Sequence, residues 1–435
     1  MRNFLVKNKP EIGVLGLWHL GSVYSASLAK LGFKVTGFDE DRIVVSNLQK
    51  IKPPIEEPNL EETIKQHLGK NLDFTSDPKQ AISHKKYLFV TYDVPVDEKD
   101  RVDTSVIDRT FSLITKYASP NTTVVVSSQL PIGSSRKLLD SLQKKEASIN
   151  IIYFPENLRL GNAFESFLKP ERIIIGSNKS EISDQFEKDF SDFACPFIKM
   201  SLESAEMVKH ALNSYLATMI SFSSEMSDLS EILGANMNEV VSALKSEKRI
   251  SKFAPINPGL GFAGGTLGRD IQTLRSLGKK NNYTTALLNS IYQVNQNRLP
   301  QLLKRLKILL PQLKNKTIGI LGLTYKPKTN TLRRSMALEL ATLLKKEGSR
   351  IKAYDPAVKD KISSHPFIEI ATKKGFFKDL DIVILMTEWE DFGSIDWKKE
   401  AKSIRTRIVF DSKNFLDKNK IEKANLKYFG IGFSL

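Results

Sequence analysis

Three groups of residues in this 435-residue chain have the types and spacing that chemistry needs. The first is the stretch Asn257-Pro-Gly-Leu-Gly-Phe-Ala-Gly-Gly-Thr-Leu-Gly-Arg-Asp270, with five glycines in fourteen residues. Glycine costs backbone entropy and offers no side chain to pack, so this composition predicts a tight loop rather than a helix or strand. Its backbone N–H groups can approach a ligand closely. Thr266, Arg269 and Asp270 close it, just before a helical run from Ile271 to Leu277. The second group is Glu206, Lys209 and Asn213, which at i, i+3 and i+7 share one face of a helix predicted over 204–233 and stopped at Gly234. Much of the remaining perimeter is apolar, as on a helix buried between domains or in a dimer. A lysine and an asparagine buried there need partners; a purely structural Glu206–Lys209 contact is the alternative.

The third group is Gly16, Trp18, Leu20, Gly21 and Asp39. A strand over 11–17, a helix over 23–31 closed by Gly32, and a strand over 34–39 ending in an acid follow one another here. That is the order of a dinucleotide-binding βαβ unit. Gly16 makes the tight turn, Gly21 lets helix and strand pack, and the helix N-terminus faces a pyrophosphate. Asp39, 18 positions after Gly21, accepts hydrogen bonds from a ribose and repels a 2′-phosphate, so the expected cofactor is NAD. One departure stands out. The usual middle glycine is Trp18.

The elements that must position these groups read as an alternation of strands and helices. Strands are predicted at 87–92, 122–127, 150–154 and 172–176, a doubly wound parallel sheet. Ligands bind at the carboxyl ends of such strands, where Asp93-Val-Pro95, Ser128 and Pro155-Glu156-Asn157-Leu158 fall. The opening motif then recurs: Ile318-Gly-Ile-Leu-Gly-Leu323 repeats Ile12-Gly-Val-Leu-Gly-Leu17, and Arg350–Asp355 repeats the acid-ended strand. The second turn is basic, and Lys326, Arg333 and Lys413 suit the phosphates of a nucleotide. The expected architecture is α/β, with Rossmann-like doubly wound domains at 1–200 and 311–435. A long central helix and an all-helical middle domain, 201–310, join them and carry the Gly-rich loop.

Composition narrows the classes. The chain is 41% hydrophobic and 26% charged, and no run of about 18 apolar residues would span a membrane. No signal peptide is legible, and the expected location is the cytoplasm. A single cysteine, Cys195, and five histidines without ligand spacing argue against a metal site. The net charge of +16 comes from lysines scattered among glutamates, without a basic block or nucleic-acid motif. It suits an anionic small molecule rather than a nucleic acid.

With these pieces in order, the chain from Ile12 to about Gly432 resembles the UDP-glucose/GDP-mannose dehydrogenase family. The resemblance rests on Glu57-Pro-Asn-Leu-Glu-Glu62, Pro155-Glu156, Glu206-x-x-Lys-x-x-x-Asn213, Arg249-Ile250, Gly261-Phe262, Asp270, Lys326-Pro327, Tyr354-Asp-Pro356, Thr387-Glu-Trp389, Asp411 and Gly430-Ile-Gly432. The loop with Phe262 and Arg269-Asp270 is closer to the UDP-glucose branch than to the N-acetylmannosamine branch. The family oxidises C6 of a nucleotide sugar to a carboxylate with two NAD, as a homodimer. The resemblance implies catalytic roles for Lys209, Asn213, Asp270 and Glu156 and the nucleophile position for Thr266. It implies substrate contacts from Asn157, Leu158, Arg249, Asn257, Gly261, Phe262, Gly264, Lys326, Arg333 and Lys413, with a UDP-hexose as substrate.

Several positions depart from the family's pattern. Thr266 stands where its nucleophilic cysteine belongs, Arg269 for its lysine, Leu160 for a second glutamate, Gln129 for a threonine and Lys413 for an arginine. Cys195 matches no part of the motif. A thiol with a pKa of about 8.5 is readily activated, whereas a threonine hydroxyl is a far weaker acid, and no histidine in the loop can serve as its base. Three outcomes stay open. The enzyme stops after one hydride transfer or oxidises an aldehyde hydrate without a covalent intermediate; it makes the uronic acid in the ordinary way; or it binds nucleotide sugars without catalysis, Trp18 blocking the cofactor.

Overall fold

Buried β-branched runs build two sheets in this chain, seen in a computed structural model that describes residues 9–94, 103–145, 148–155, 158, 161–263 and 265–433. The molecule divides into two units, Met1–Ala211 and Leu212–Leu435, the boundary falling inside one long helix. The first unit holds β1 (Glu11–Leu15), β2 (Lys34–Phe38), β3 (Leu72–Thr75), β4 (Tyr87–Val90), β5 (Thr123–Val126), β6 (Asn150–Tyr153), β7 (Ile173–Ser177) and β8 (Phe197–Met200). Their order is β3-β2-β1-β4-β5-β6-β7-β8. The expected all-parallel sheet needs one correction: β7 runs antiparallel to β6. A strand buried on both faces is an unbroken apolar run whichever way it points, so periodicity carried no direction here.

The second unit holds β9 (Thr317–Leu321), β10 (Arg350–Tyr354), β11 (Ile368–Ile370), β12 (Leu380–Leu385), β13 (Ile404–Asp411) and β14 (Lys427–Gly430). All pairs are parallel and the order, β11-β10-β9-β12-β13-β14, repeats that of the first six strands in the other unit. Registers repeat too: Leu15 pairs with Phe38, and Leu321 with Tyr354. Each sheet thus brings the glycine after its first strand beside the acid after its second. Both are Rossmann-like.

The long helix, Leu202–Leu233, begins two residues before its expected start and ends at Gly234, whose φ of +76° suits a helix stop. Its buried side departs from the apolar one expected. Ser221, Ser223, Ser224, Ser227 and Ser230 are buried, while Tyr215, Phe222 and Leu229 are exposed. Two of these hydroxyls find carbonyl partners, one local and one distant: Ser227 Oγ donates to the Ser223 carbonyl at 2.7 Å, and Ser223 Oγ to that of Ile256 at 2.6 Å. A small-residue face lets neighbours pack closely. Among the described residues no helix is long and apolar enough to cross a membrane.

The glycine-rich stretch also needs correcting. The loop ends at Gly265, and Thr266–Lys280 is a helix, so Thr266 to Asp270 form its first turn. Gly268 is tolerated inside it at a cost of about 1 kcal/mol relative to alanine.

Candidate active site

In the first unit the glycine turn is clasped from both neighbouring strands. Gly16 N–H donates to the Phe38 carbonyl at 2.9 Å, and Leu17 N–H donates to Asp39 Oδ2 at 2.7 Å. From the other side, Thr91 Oγ1 donates to the Gly16 carbonyl at 2.7 Å. Gly16 has φ +97°, and a Cβ on Gly21 would stand 1.7 Å from the Gly16 oxygen. Only glycine allows that close approach of helix to turn, the packing a dinucleotide cradle requires. The other Asp39 oxygen accepts Asp41 N–H at 3.0 Å. A carboxylate offers about four acceptor positions, so capacity for ribose hydroxyls remains. Trp18 caps the helix His19–Lys30 with its side chain half exposed, and Leu20 packs on the core. Ser128 is buried and donates to the Tyr92 carbonyl at 2.7 Å, joining the ends of β4 and β5. Pro95 lies outside the described residues.

Two buried carboxylates of this unit cap helices. Glu206 accepts Gly133 N–H at 2.6 Å and Ser135 N–H at 2.8 Å, at the start of helix Ser134–Lys144. Burial pushes its carboxyl up, and these backbone donors pull it back down. Its charge meets the positive end of a helix, so in this motif Glu206 anchors the long helix. Glu57 accepts from Gly161 N–H at 2.9 Å and Ala163 N–H at 2.6 Å, with His19 Nε2 at 3.2 Å. This explains the first residue of Glu57-Pro-Asn-Leu-Glu-Glu62, which ties the segment after β6 to the first turn of helix His19–Lys30. Leu158 is half-buried on the same core; Glu156, Asn157 and Leu160 lie outside the described residues. Lys209 is buried, 6% exposed, one helical turn before Asn213.

In the second unit Asn213 donates through Nδ2 to Asp270 Oδ2, and both side chains are buried. Asp270 lies one turn after Thr266 on the same helix, and Thr266 is exposed at its first position. The loop before it is gripped by a residue the sequence did not flag. Asn295 accepts Phe262 N–H at 2.8 Å and donates to the Phe262 carbonyl at 3.1 Å. A Cβ on Gly261 would stand 2.3 Å from the same Asn295 oxygen. No local pattern marks Asn295, since it is one of several polar residues on a half-exposed helix. The Phe262 ring belongs to a small core with Ala217, Ile271 and Ile291. Gly264 lies outside the described residues.

The second glycine turn copies the first. Gly322 N–H donates to the Tyr354 carbonyl at 2.8 Å, and Leu323 N–H to Asp355 Oδ2 at 2.7 Å. Here one oxygen of the acid is crowded, because Thr324 N–H and Trp389 Nε1 reach the same Oδ2 at 3.0 and 3.2 Å. Lys326 is half-buried over the Tyr325 ring, and Arg333 is exposed. Lys413 forms an ion pair with Glu388 at 3.4 Å and lines a cleft of about 250 Å³ together with Asn238, Lys245, Asn257, Pro258 and Asn414. Lys245 donates to Asn257 Oδ1 at 2.9 Å. Arg249 is not among the cleft's lining residues; it is exposed and pairs with Glu247 at 3.1 Å. Among the described residues no three His, Cys, Asp or Glu side chains gather as metal ligands would.

Three segments match the domains of one family, UDP-glucose/GDP-mannose dehydrogenase. They are its NAD binding domain over residues 10–194, its central domain over 203–297 and its UDP binding domain over 319–418. The chain is 31% identical to a UDP-glucose 6-dehydrogenase of Rickettsia bellii, across 97% of this chain and 99% of that one. It is 27% identical to the UDP-glucose 6-dehydrogenase TuaD of Bacillus subtilis, across 97% and 93%. Among solved structures, a UDP-glucose dehydrogenase from Pyrobaculum islandicum superposes with a TM-score of 0.88 at 26% identity, covering 98% of both chains.

Proposed function

Because the chain belongs to the UDP-glucose/GDP-mannose dehydrogenase family, we propose that this NAD-dependent oxidoreductase oxidises C6 of a UDP-hexose resembling UDP-glucose, without a covalent enzyme intermediate. The observation that carries this reading is the pair Asn213–Asp270 with Thr266 one turn away. The glycine turn at Gly16–Gly21 and Asp39 fit a dinucleotide cofactor, with the turn's backbone toward pyrophosphate and Asp39 toward ribose. NAD, when bound, supplies the hydride acceptor. Lys209 and Asn213 hold and polarise the C6 oxygen, and Asp270, held by Asn213, takes up the hydroxyl proton, leaving an aldehyde. Thr266 occupies the first position of a helix, where the dipole favours an anion, yet the alcohol is too weak an acid for that effect to ionise it. The aldehyde is released, or its hydrate gives up the second hydride without an acyl-enzyme.

The cleft between Lys245 and Lys413 supports a nucleotide diphosphate as the recognised part of the substrate. The aromatic and aliphatic residues exposed at seven-residue intervals, Tyr215, Phe222 and Leu229, support a homodimer through the long helix. The experiment is a panel of UDP- and GDP-sugars with NADH counted per sugar and products identified by mass spectrometry. One NADH and an aldehyde, or an acid formed with no trappable enzyme adduct, supports this route. An acyl-enzyme on Thr266 supports ordinary conversion instead, and no NADH with any sugar supports a binding protein.

A further inference from the structure

The motif Gly430-Ile-Gly432 takes no part in the chemistry above, yet the side chains of Glu231, Arg305 and Asn414 converge on its backbone. Glu231, near the end of the long helix, accepts Gly432 N–H at 2.6 Å and forms an ion pair with Arg305 at 2.7 Å. Arg305 in turn donates through Nη2 to the Gly430 carbonyl at 2.8 Å, its guanidinium lying 5.0 Å from the Phe410 ring centre. Both side chains are nearly buried, at 12% and 11% exposed. Between them, Ile431 exchanges two hydrogen bonds with Asn414, its N–H donating at 3.0 Å and its carbonyl accepting at 2.8 Å. The Gly432 carbonyl accepts Met237 N–H at 3.0 Å.

These bonds run to both walls of the Lys413 cleft. Asn414 and Lys413 form one wall, and Ile431 holds both the Nδ2 and the Oδ1 of Asn414's amide. Met237 begins the helix Met237–Ser246, which carries Asn238 and Lys245 on the other wall. The glycines are required by contact: a Cβ on Gly430 would stand 2.3 Å from Asn414 Oδ1, and one on Gly432 would stand 2.6 Å from Met237 Cβ at a φ of +82°. A displacement of three residues therefore moves both walls together.

We infer that Glu231 and Arg305 are positioning residues for the nucleotide cleft: by fixing Gly430–Gly432 they set the spacing between Lys413–Asn414 and Asn238–Lys245. This rests on the reading of that cleft as the site for the substrate's nucleotide diphosphate. Burying an ion pair is costly on its own account, and its removal from one side is costlier, because the other charge stays behind. A pair kept here is understandable if geometry rather than stability is what it secures.

The test is titration calorimetry of UDP, and separately of NAD, against the full-length wild type, Glu231→Gln, Arg305→Lys and Gly432→Ala, beside steady-state kinetics and thermal melts. Glu231→Gln keeps an acceptor for Gly432 but removes the charge facing Arg305. The expected result is UDP affinity and the KM for nucleotide sugar each weakened about tenfold, with kcat and NAD affinity within about threefold. Gly432→Ala, which shifts the segment by contact alone, should weaken UDP in the same way and serves if Glu231→Gln does not fold. A merely structural pair would lower the melting temperature and leave UDP binding below that temperature unchanged; that result in both variants overturns the inference. Wild-type protein that does not bind UDP overturns the reading of the cleft itself, and the inference with it.

Discussion

Asn213 donates its side-chain N–H to the carboxylate of Asp270, so an amide on the long helix and an acid on the helix Thr266–Lys280 form one buried polar unit. Each fixes the other's rotamer. Asp270→Asn keeps the shape and removes the acceptor of a proton, and kcat should fall about 100-fold or more. Lys209→Ala should cost a similar factor by removing an oxygen-polarising charge. Thr266→Ala, which removes one exposed hydroxyl, should cost less than about fivefold. Steady-state rates on the best UDP-sugar check all three. A loss with Thr266→Ala as large as with Asp270→Asn would refute a non-covalent route.

NAD should be preferred over NADP by at least about tenfold, or about 1.4 kcal/mol. Asp39 is fixed at the end of β2 by Leu17 and Asp41 N–H, so it cannot swing away from a 2′-phosphate without undoing the turn. Fluorescence titration of both cofactors measures it. Equal affinities would mean that the ribose does not reach Asp39.

Where the sequence was legible, the reason was local. Gly16 and Asp39, and their echoes Gly322 and Asp355, stand at fixed distances along two short strands, and a parallel pair in register must bring them together. The roles of Glu206 and Glu57 were not legible, because their partners Ser135 and Ala163 lie 71 and 106 residues away and are backbone groups, which any residue type supplies. Direction was lost at β7 for want of any directional signal in Ile173-Ile-Ile. The long helix misled through its serines: Ser223 and Ser227 count as polar, yet with their hydroxyls bonded to carbonyls they pack as small buried residues. The helix at Thr266 was hidden by Gly265 and Gly268, whose propensity argues against a helix that tertiary packing of Asp270 and Ile271 enforces.

Stability should carry an acid-sensitive increment from Glu11. Lys85 and Lys34 donate to its two oxygens at 2.8 and 2.9 Å and hold its carboxyl below the usual range. A folded value below the unfolded one means stabilisation present above the unfolded value, about 4.3, and lost as pH falls through the folded one. Because Glu11 is partly exposed, Glu11→Gln should cost only about 1 kcal/mol at pH 7. Denaturant melts of wild type and Glu11→Gln should differ at pH 7 and converge toward pH 3. A difference independent of pH would assign the effect to packing of Lys85 instead.

Thr266→Cys tests whether the rest of the site still accommodates covalent chemistry. Position 266 is exposed at the first turn of a 15-residue helix, where a thiol's pKa is lowered from about 8.5 by the helix dipole and the thiolate is the nucleophile. Cysteine there should attack the aldehyde carbon, and loss of a second hydride from the resulting thiohemiacetal would leave a thioester. With Leu160 in place of an acid and Gln129 in place of a threonine, hydrolysis should be slow, so the adduct should accumulate. Intact-protein mass spectrometry after one equivalent of UDP-sugar should show an acyl adduct on Thr266→Cys and none on the wild type. A burst of two NADH per site should accompany the adduct. An adduct on wild-type Thr266, lost in Thr266→Ala together with the second NADH, would make threonine the nucleophile and end the non-covalent reading.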